Sequence, residues 1–585
     1  MINKKFLITT GLEESFPEED HSEVVFLGEW CRDFTTKDAW EKLNYKILPY
    51  HWDDRDKLYA DYKEFKRIYE ALLEELSIKL NEIHQEDLSL KSWRIILGPW
   101  LADFIQAIFD RYETLLVAFN ENQDYALRAV ARDRLSNVPN DMVHFHSLFA
   151  SDDWNESIYT QLITMHWPSQ VKIFWITKKS RASESLRANV IGGFFRQWLL
   201  PKISGLVSGK DDVFFIESYL PKKTEMRLQM RLGQVPNLWK SQDVPKVKAD
   251  IRQRQWSLSS TTGGDLENIV RKMIPDNIPT AYLEGFVSLN NKVSGLSWTK
   301  NPSSIFTSNS YSGDDLFKVW VARKIKQKSR LIIGQHGGHI GTDLFSFHEE
   351  HQIEIATTYL SWGWSDASRK KIIPVGNIRC FGSAVAHSPS GGALMVELSS
   401  PRYAYHMMAM PIAGQLLQYF EEQKLFLKSL PSEVRNQVIL RLGKRDWGWR
   451  WTERWNEAMP EVKLDDGTRD IRSLIEGSRL YISTYNATTF LETMSWNIPT
   501  IMFWNKSHWE LNAQSEPYFE LIEKAGIFHS TPQSAARKML QIWDDVDSWW
   551  YSNEIQKVRE IFVNQYAKVP NDTIKVMKEI LTKSN

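Results

Sequence analysis

Residues 331–366 read LIIGQHGGHIGTDLFSFHEEHQIEIATTYLSWGWSD. Leu331-Ile332-Ile333 is a short apolar run of the kind that forms a buried strand. It breaks into Gly334-Gln335-His336-Gly337-Gly338-His339-Ile340-Gly341-Thr342, where four glycines in eight residues permit sharp turns and close approach to a ligand. A helical stretch with Glu349, Glu350 and Glu354 follows, then a strand from Ile355 to Leu360, then the aromatic loop Trp362-Gly363-Trp364-Ser365-Asp366. Open α/β sheets hold ligands where a strand runs out into such a loop. The stretch is expected to form one wall of an active-site cleft, and residues 479–505 the other.

The rest of the chain sets the frame. At 585 residues it exceeds one ordinary core, so at least two domains are expected. Hydrophobic residues at 42% and charged residues at 25% are globular proportions. A formal net charge of -1 removes the general electrostatic case for nucleic acid as a partner. Cys31 and Cys380 are the only cysteines, too few for a disulfide framework or a cysteine zinc site. The N-terminus lacks the pattern of a signal peptide, and no apolar run reaches about 20 residues. A cytoplasmic location follows as an expectation, with peripheral membrane contact left open.

Strands and helices alternate from the start, as in a mostly parallel sheet. Strands are expected at 5–10, 24–28, 115–119, 172–177 and 213–218, a long exposed helix over 55–85, and a helix over 92–112 interrupted at Gly98-Pro99. The polar, basic stretch 222–264 reads as a loop or insertion, and Tyr403 to Phe420 as the start of a helix. Ser388-Pro389-Ser390-Gly391-Gly392 is the best linker in the chain, and a second α/β series starts after it with ALMVEL (393–398), QVILRL (437–442), LYIST (480–484) and TIMFW (500–504). The expected division is 1–388, with helical insertions, and 389–585, whose last helix is free to pack back on the first domain.

Residues 479–505, RLYISTYNATTFLETMSWNIPTIMFWN, place a strand, a polar turn and a helix start in succession. Free amides at a helix N-terminus with hydroxyls beside them make an anion site. Ser483, Thr484, Asn486, Thr488 and Thr489 are therefore candidates for a phosphate or diphosphate, together with Gln335, Gly337 and Gly338 of the glycine turn. Simple capping by Thr488 would explain one of these hydroxyls. Arg441, near a strand end, is a candidate for the phosphate charge. His336, His339, His348 and His351 fall within sixteen residues, with Asp343 and Glu349 among them. His336 in the glycine turn is the first candidate for acid–base work near neutral pH, with Glu349 and Asp366 beside it. His348-Glu349-Glu350-His351 is not the HExxH zinc motif, because position 352 is Gln. In the first half, Glu29, His51 and Arg55 sit on polar, aromatic loops suited to an acceptor.

Several long strings carry a resemblance: FLGEWC (26–31), PYHWDDR (49–55), GPWL (98–101), GQHGGHIGT (334–342), SWGWSD (361–366), STYNATTFLETMSWNIPTIMFWN (483–505) and DDVDSWW (544–550). Through them the chain resembles, nearly end to end, transferases encoded in O-antigen and surface-polysaccharide biosynthesis regions. The second half also resembles the donor half of GT-B nucleotide-sugar transferases, which implies Glu492 as a candidate for the ribose hydroxyls. The resemblance implies an α/β protein of two facing Rossmann-like domains. It implies transfer of a glycosyl group from a nucleotide sugar to a surface-glycan acceptor, with no required cofactor and no metal. A polyol-phosphate transferase of the teichoic-acid type, a sugar-nucleotide epimerase and a non-catalytic nucleotide-sugar binder are the competing expectations.

Overall fold

The computed structural model describes residues 5–18, 23–120, 123–177, 212–258, 263–382, 384–570 and 572–583. Three sheets organise these residues, and every strand pairing is parallel. The first holds β1 (Lys5–Ile8), β2 (Glu23–Phe26), β3 (Asn44–Ile47), β4 (Tyr125–Val130) and β5 (Val171–Ile176) in the order β3-β2-β1-β4-β5. The second runs in simple succession through β6 (Phe214–Phe215), β7 (Ser304–Thr307), β8 (Arg330–Gly334), β9 (Thr358–Ser361) and β10 (Ile372–Pro374). The third holds β11 (Gly392–Val396), β12 (Val438–Arg441), β13 (Lys463–Asp465), β14 (Ser478–Ser483), β15 (Thr500–Phe503) and β16 (Phe528–His529). Its order, β13-β12-β11-β14-β15-β16, is that of a doubly wound dinucleotide-type sheet.

The mixed α/β class with parallel sheets is the one expected. Residues 1–388, expected as one Rossmann-like domain with insertions, carry two five-stranded sheets. Two 30-residue helices lie among them. The first, Arg55–His84, is capped by Asp54, whose carboxylate accepts the Lys57 N–H at 3.0 Å. It buries one face, Leu58, Tyr62, Phe65, Leu72, Leu76 and Leu80, at helical spacing. The second, Leu90–Phe119, is buried on nearly every face.

That second helix corrects two expectations. It runs unbroken through Pro99, and residues 115–119 are its last turn rather than a strand. Proline costs about 3 kcal/mol in a helix interior. Burying Trp93, Ile96, Leu97, Trp100, Leu101 and Phe104 outweighs it at about 1.5–3 kcal/mol for each large side chain. The strand that belongs there is β4, whose sequence YALRAV carries an arginine and three alanine or leucine residues and has little strand character. Within 222–264 a helix forms over Lys222–Arg231. The final helix, Thr573–Thr582, packs Met577, Ile580 and Leu581 on the second sheet, and Ser304 donates to the Leu581 carbonyl at 3.0 Å. No helix among the described residues is long and apolar enough to cross a membrane.

Candidate functional site

The strand order of the third sheet reverses between β11 and β14, so the chain leaves the C-terminal ends of these neighbours toward opposite faces. A crevice opens there as a consequence of topology. Val396 and Ser483 are paired in register at its base. Two segments line it: residues 397–412 after β11, and Tyr485-Asn486-Ala487 after β14. The third wall comes from the second sheet, where the glycine loop after β8 and the helix Phe347–Ile355 present His339, Asp343 and His348. Together they enclose a cavity of about 290 Å³ with Tyr403, Tyr405, Trp447, Tyr485 and Trp509 in its lining.

The glycine loop touches the β14 turn directly. A Cβ on Gly338 would lie 2.0 Å from the Ala487 carbonyl oxygen and 2.9 Å from the Thr488 nitrogen. Gly341 is left-handed (φ +85°), and a Cβ there would stand 2.4 Å from the Trp364 indole. Gln335 is fully buried and braces the loop. It donates to the carbonyls of Gly337 (2.8 Å) and Ile340 (3.2 Å), and accepts from Trp362 N–H (2.9 Å) and Trp364 Nε1–H (2.8 Å). Beyond the loop, residues 510–515 bind it from outside: Leu344 donates to the Glu510 carbonyl, and Asn512 N–H and the Ser515 hydroxyl donate to the Thr342 carbonyl, all at 2.9 Å.

These bonds aim a histidine–carboxylate pair at the cavity. His339 Nδ1 is 3.2 Å from Asp343 Oδ2. Burial pushes the Asp343 carboxyl up to about 6, against the pull of His339. Burial works against the charged form of His339 as well, yet Asp343 overcomes it and raises the imidazole above its ordinary value. Asn486 Nδ2 donates to Asp343 Oδ1 at 3.2 Å and to Thr342 Oγ1 at 3.0 Å, tying the pair to the β14 turn.

The strap of residues 397–412 has no regular structure over most of its length, so its backbone needs partners. The Leu90–Phe119 helix supplies them along one polar stripe. Gln106 accepts the Met407 N–H at 2.8 Å, Arg111 donates to the Ala404 carbonyl, and Asp103 Oδ1 meets His406 Nε2 at 2.9 Å. His406 Nε2 is also 3.0 Å from His348 Nε2, and His146 Nε2 lies 3.3 Å from the other Asp103 oxygen. Further along, Arg402 reaches the first sheet's own switch point and donates to Asp33 (2.9 Å) and Asp152 (2.6 Å).

The residues singled out from sequence fall in different places. Asn486 lines the cavity. Gly337, Gly338, Thr488 and Thr489 stand at the seam beside it, but neither threonine caps the helix Thr488–Ser495, whose N-cap is Ala487 without a side-chain bond. Ser483 and Thr484 are buried, and their hydroxyls donate to main-chain carbonyls, Tyr485 at 3.0 Å and Val396 at 2.7 Å. His336 does not line the cavity. It faces Tyr311, whose hydroxyl is 3.3 Å from Nδ1, and the Tyr219 ring, and burial holds it down to about 4. Glu349 accepts the Gly341 N–H at 2.7 Å, so it shapes the loop. Asp366 caps a surface turn, held down to about 2 by the Ser368 hydroxyl and Arg369.

Apparent free charges turn out to be paired. Arg441 is bound to Asp465 (2.7 Å) and Glu492 to Arg379 (2.6 Å). Glu29 pairs with Arg32 beside a separate groove, and His51 is buried 3.3 Å from Asp110. Arg55 grips Glu510 through two bonds (2.6 and 2.9 Å), Gln415 (3.0 Å) and the carbonyls of Met408 and Met410. These three do not converge on one acceptor site.

Sequence reasoning missed the strap, together with Asp103, His406, Trp447 and Trp509. Two signals were available. Asp103, Gln106 and Asp110 recur at i, i+3 and i+7 inside an otherwise apolar helix, and His406 interrupts an uncharged run beside two tyrosines.

Parallel sheets, a switch-point cavity and a histidine–carboxylate pair together define a group-transfer or ligand-binding α/β protein. The family model described as LIC12162 family transferase matches residues 5–581, and the chain belongs to that family of transferases. No curated protein matches the chain. Among solved structures, it is similar to a variant of the wall teichoic acid polymerase TagF (9% identity, 64% of this chain and 89% of that chain, TM-score 0.32). It is also similar to Anabaena Alr3699/HepE in complex with UDP (12% identity, 63% and 98%, TM-score 0.33). A third is WaaG, a glycosyltransferase involved in lipopolysaccharide biosynthesis (10% identity, 52% and 96%, TM-score 0.27). Likeness at this level transfers neither substrate nor residue roles.

Proposed function

We propose that the switch-point cavity moves a glycosyl group from a nucleotide-activated sugar to a surface-glycan hydroxyl, in the manner of a GT-B glycosyltransferase. The observation that carries this reading is the cavity's position, at the diverging ends of β11 and β14 and facing the His339–Asp343 pair. The donor's phosphates lie toward Asn486 and the first amides of the Thr488–Ser495 helix, where the dipole adds about 0.3–1 kcal/mol for a negative charge. Trp447 and Tyr485 give the cavity an aromatic lining suited to sugar or base. His339, oriented by Asp343, takes the acceptor hydroxyl proton as the new bond to the anomeric carbon forms. The bond to the phosphate oxygen breaks, and the nucleotide leaves.

A thermal-shift panel with CMP, CDP, UDP, GDP and dTDP tests the reading on wild type, Trp447→Ala and His339→Ala. A ligand at about 100 times its Kd adds about 2.7 kcal/mol of apparent stability. One nucleotide is expected to stabilise wild type and His339→Ala alike, and Trp447→Ala less. A folded wild type stabilised by none of them contradicts the proposal.

A further inference from the structure

Where His348 and His406 line the cavity, three side chains from three remote segments meet. Asp103 comes from the buried Leu90–Phe119 helix, His348 from the Phe347–Ile355 helix, and His406 from the strap. One ligand-type atom from each lies within 4.8 Å of the others. His406 Nε2 is 3.0 Å from His348 Nε2 and 2.9 Å from Asp103 Oδ1. An imidazole nitrogen offers either one proton or one lone pair. If His406 Nε2 carries the proton, Asp103 and His348 compete for it. If it carries the lone pair, that lone pair faces a carboxylate. No distribution of a single proton satisfies all three groups, and Asp103 is fully buried, where unmet polar contacts are expensive.

We infer that Asp103, His348 and His406 form a binding site for one divalent transition-metal ion whose open coordination position faces the cavity. A cation meets all three lone pairs at once. Ligands about 2.0–2.1 Å from a tetrahedral Zn²⁺ stand about 3.3–3.4 Å apart, so the two separations from His406 grow by a few tenths of an ångström while Asp103 and His348, within 4.8 Å of each other, come to the same spacing. Two imidazoles and one carboxylate favour Zn²⁺ and its first-row neighbours over Mg²⁺ or Ca²⁺, which take oxygen ligands. Three protein ligands with a fourth position open is the pattern of a working site rather than a closed structural one. His348 and His406 both line the cavity, so the fourth position is accessible to an oxygen of water or substrate. His146, 3.3 Å from the second Asp103 oxygen, orients the carboxylate from outside, as outer partners of metal ligands do. The inference departs from the metal-free chemistry expected from sequence, and it does not depend on which group the cavity transfers.

The test uses the full chain, stripped with a chelator and titrated with Zn²⁺ against a chromophoric competitor. Wild type is expected to bind one equivalent. His348→Gln and His406→Gln keep side-chain bulk and are expected to lose more than about 100-fold in affinity, and His146→Ala about 10–100-fold. His387→Gln, a histidine paired elsewhere with Asp547, is expected to bind like wild type. Co²⁺ loading of wild type gives a readout that needs no variant to fold: a four-coordinate visible spectrum supports the site, and an aqua-like octahedral spectrum overturns it. Less than one tight equivalent in wild type overturns it, as does unchanged affinity in folded His348→Gln and His406→Gln.

Discussion

Substituting Gly338 by alanine tests whether the two halves of the cavity are held in direct contact. The added Cβ falls 2.0 Å from the Ala487 carbonyl oxygen, about 1.5 Å short of an ordinary contact of about 3.5 Å. The obstructing atoms are main chain, of Ala487 and Thr488, so no side chain swings away to make room. Overpacking of this kind costs about 1–3 kcal/mol, and with backbone on both sides the upper end is expected. For a cooperative unit of about 150–250 residues, a loss of about 3 kcal/mol corresponds to a fall in Tm of roughly 6–12 °C. Relief without unfolding requires the β8 loop to move off the β14 turn, which also loosens the Asn486 bonds to Asp343 and Thr342. Gly337 is the internal control. A Cβ there meets nothing closer than 3.5 Å, and alanine gains about 0.4–1 kcal/mol from a less flexible unfolded chain. Differential scanning fluorimetry and nucleotide titration of both variants decide the matter. A Gly338→Ala protein that melts and binds like wild type, or a Gly337→Ala protein that is the worse of the two, refutes the reasoning.

Arg55→Met is expected to cost about 2–3 kcal/mol, less than a fully buried pair because the side chain is 12% exposed, and a double-mutant cycle with Glu510→Gln should show coupling above about 0.5 kcal/mol in denaturant unfolding. Glu397 is buried against Trp455 and pushed up to about 8. Its folded-state value lies above the unfolded one, so its contribution is complete at low pH and is lost as pH rises. Glu397→Gln should therefore match wild type near pH 5 and exceed it in denaturant stability above about pH 8. Removing the carboxylate beside His339 by Asp343→Asn leaves burial opposed only by Glu349, so the imidazole falls. The His339 limb of a pH–rate profile, or its NMR titration, should move to lower pH, and an unmoved limb would place the proton elsewhere.

Much of this architecture is legible in local sequence because parallel strands buried on both faces are plain apolar runs. LIIG, ALMV, RLYIS and TIMF all form strands, and the glycine loop and the Asn486 turn meet. What could not be read depends on distant partners. Arg441 and Glu492 look free in sequence and are neutralised by Asp465 and Arg379. His336 and His339 share the glycine turn, but in the fold His339 lines the cavity while His336 faces Tyr311. Tyr403 to Phe420 reads as the start of a helix, but the strap's hydrogen-bonding partners lie some 300 residues earlier, at Asp103, Gln106 and Arg111.

That strap also governs how the protein can be made. It follows the opening strand of the third sheet, yet Arg402 is anchored in acids contributed by residues 33 and 152. Ribosomal synthesis delivers those acids first, so the order of emergence suits the order of assembly. A fragment beginning near residue 389 would build its six strands and lack a wall of its own pocket. Splitting the chain at the linker should therefore yield two pieces that regain ligand affinity only on mixing, and domain exchange between relatives should succeed only when the strap travels with the amino-terminal partner it was shaped against.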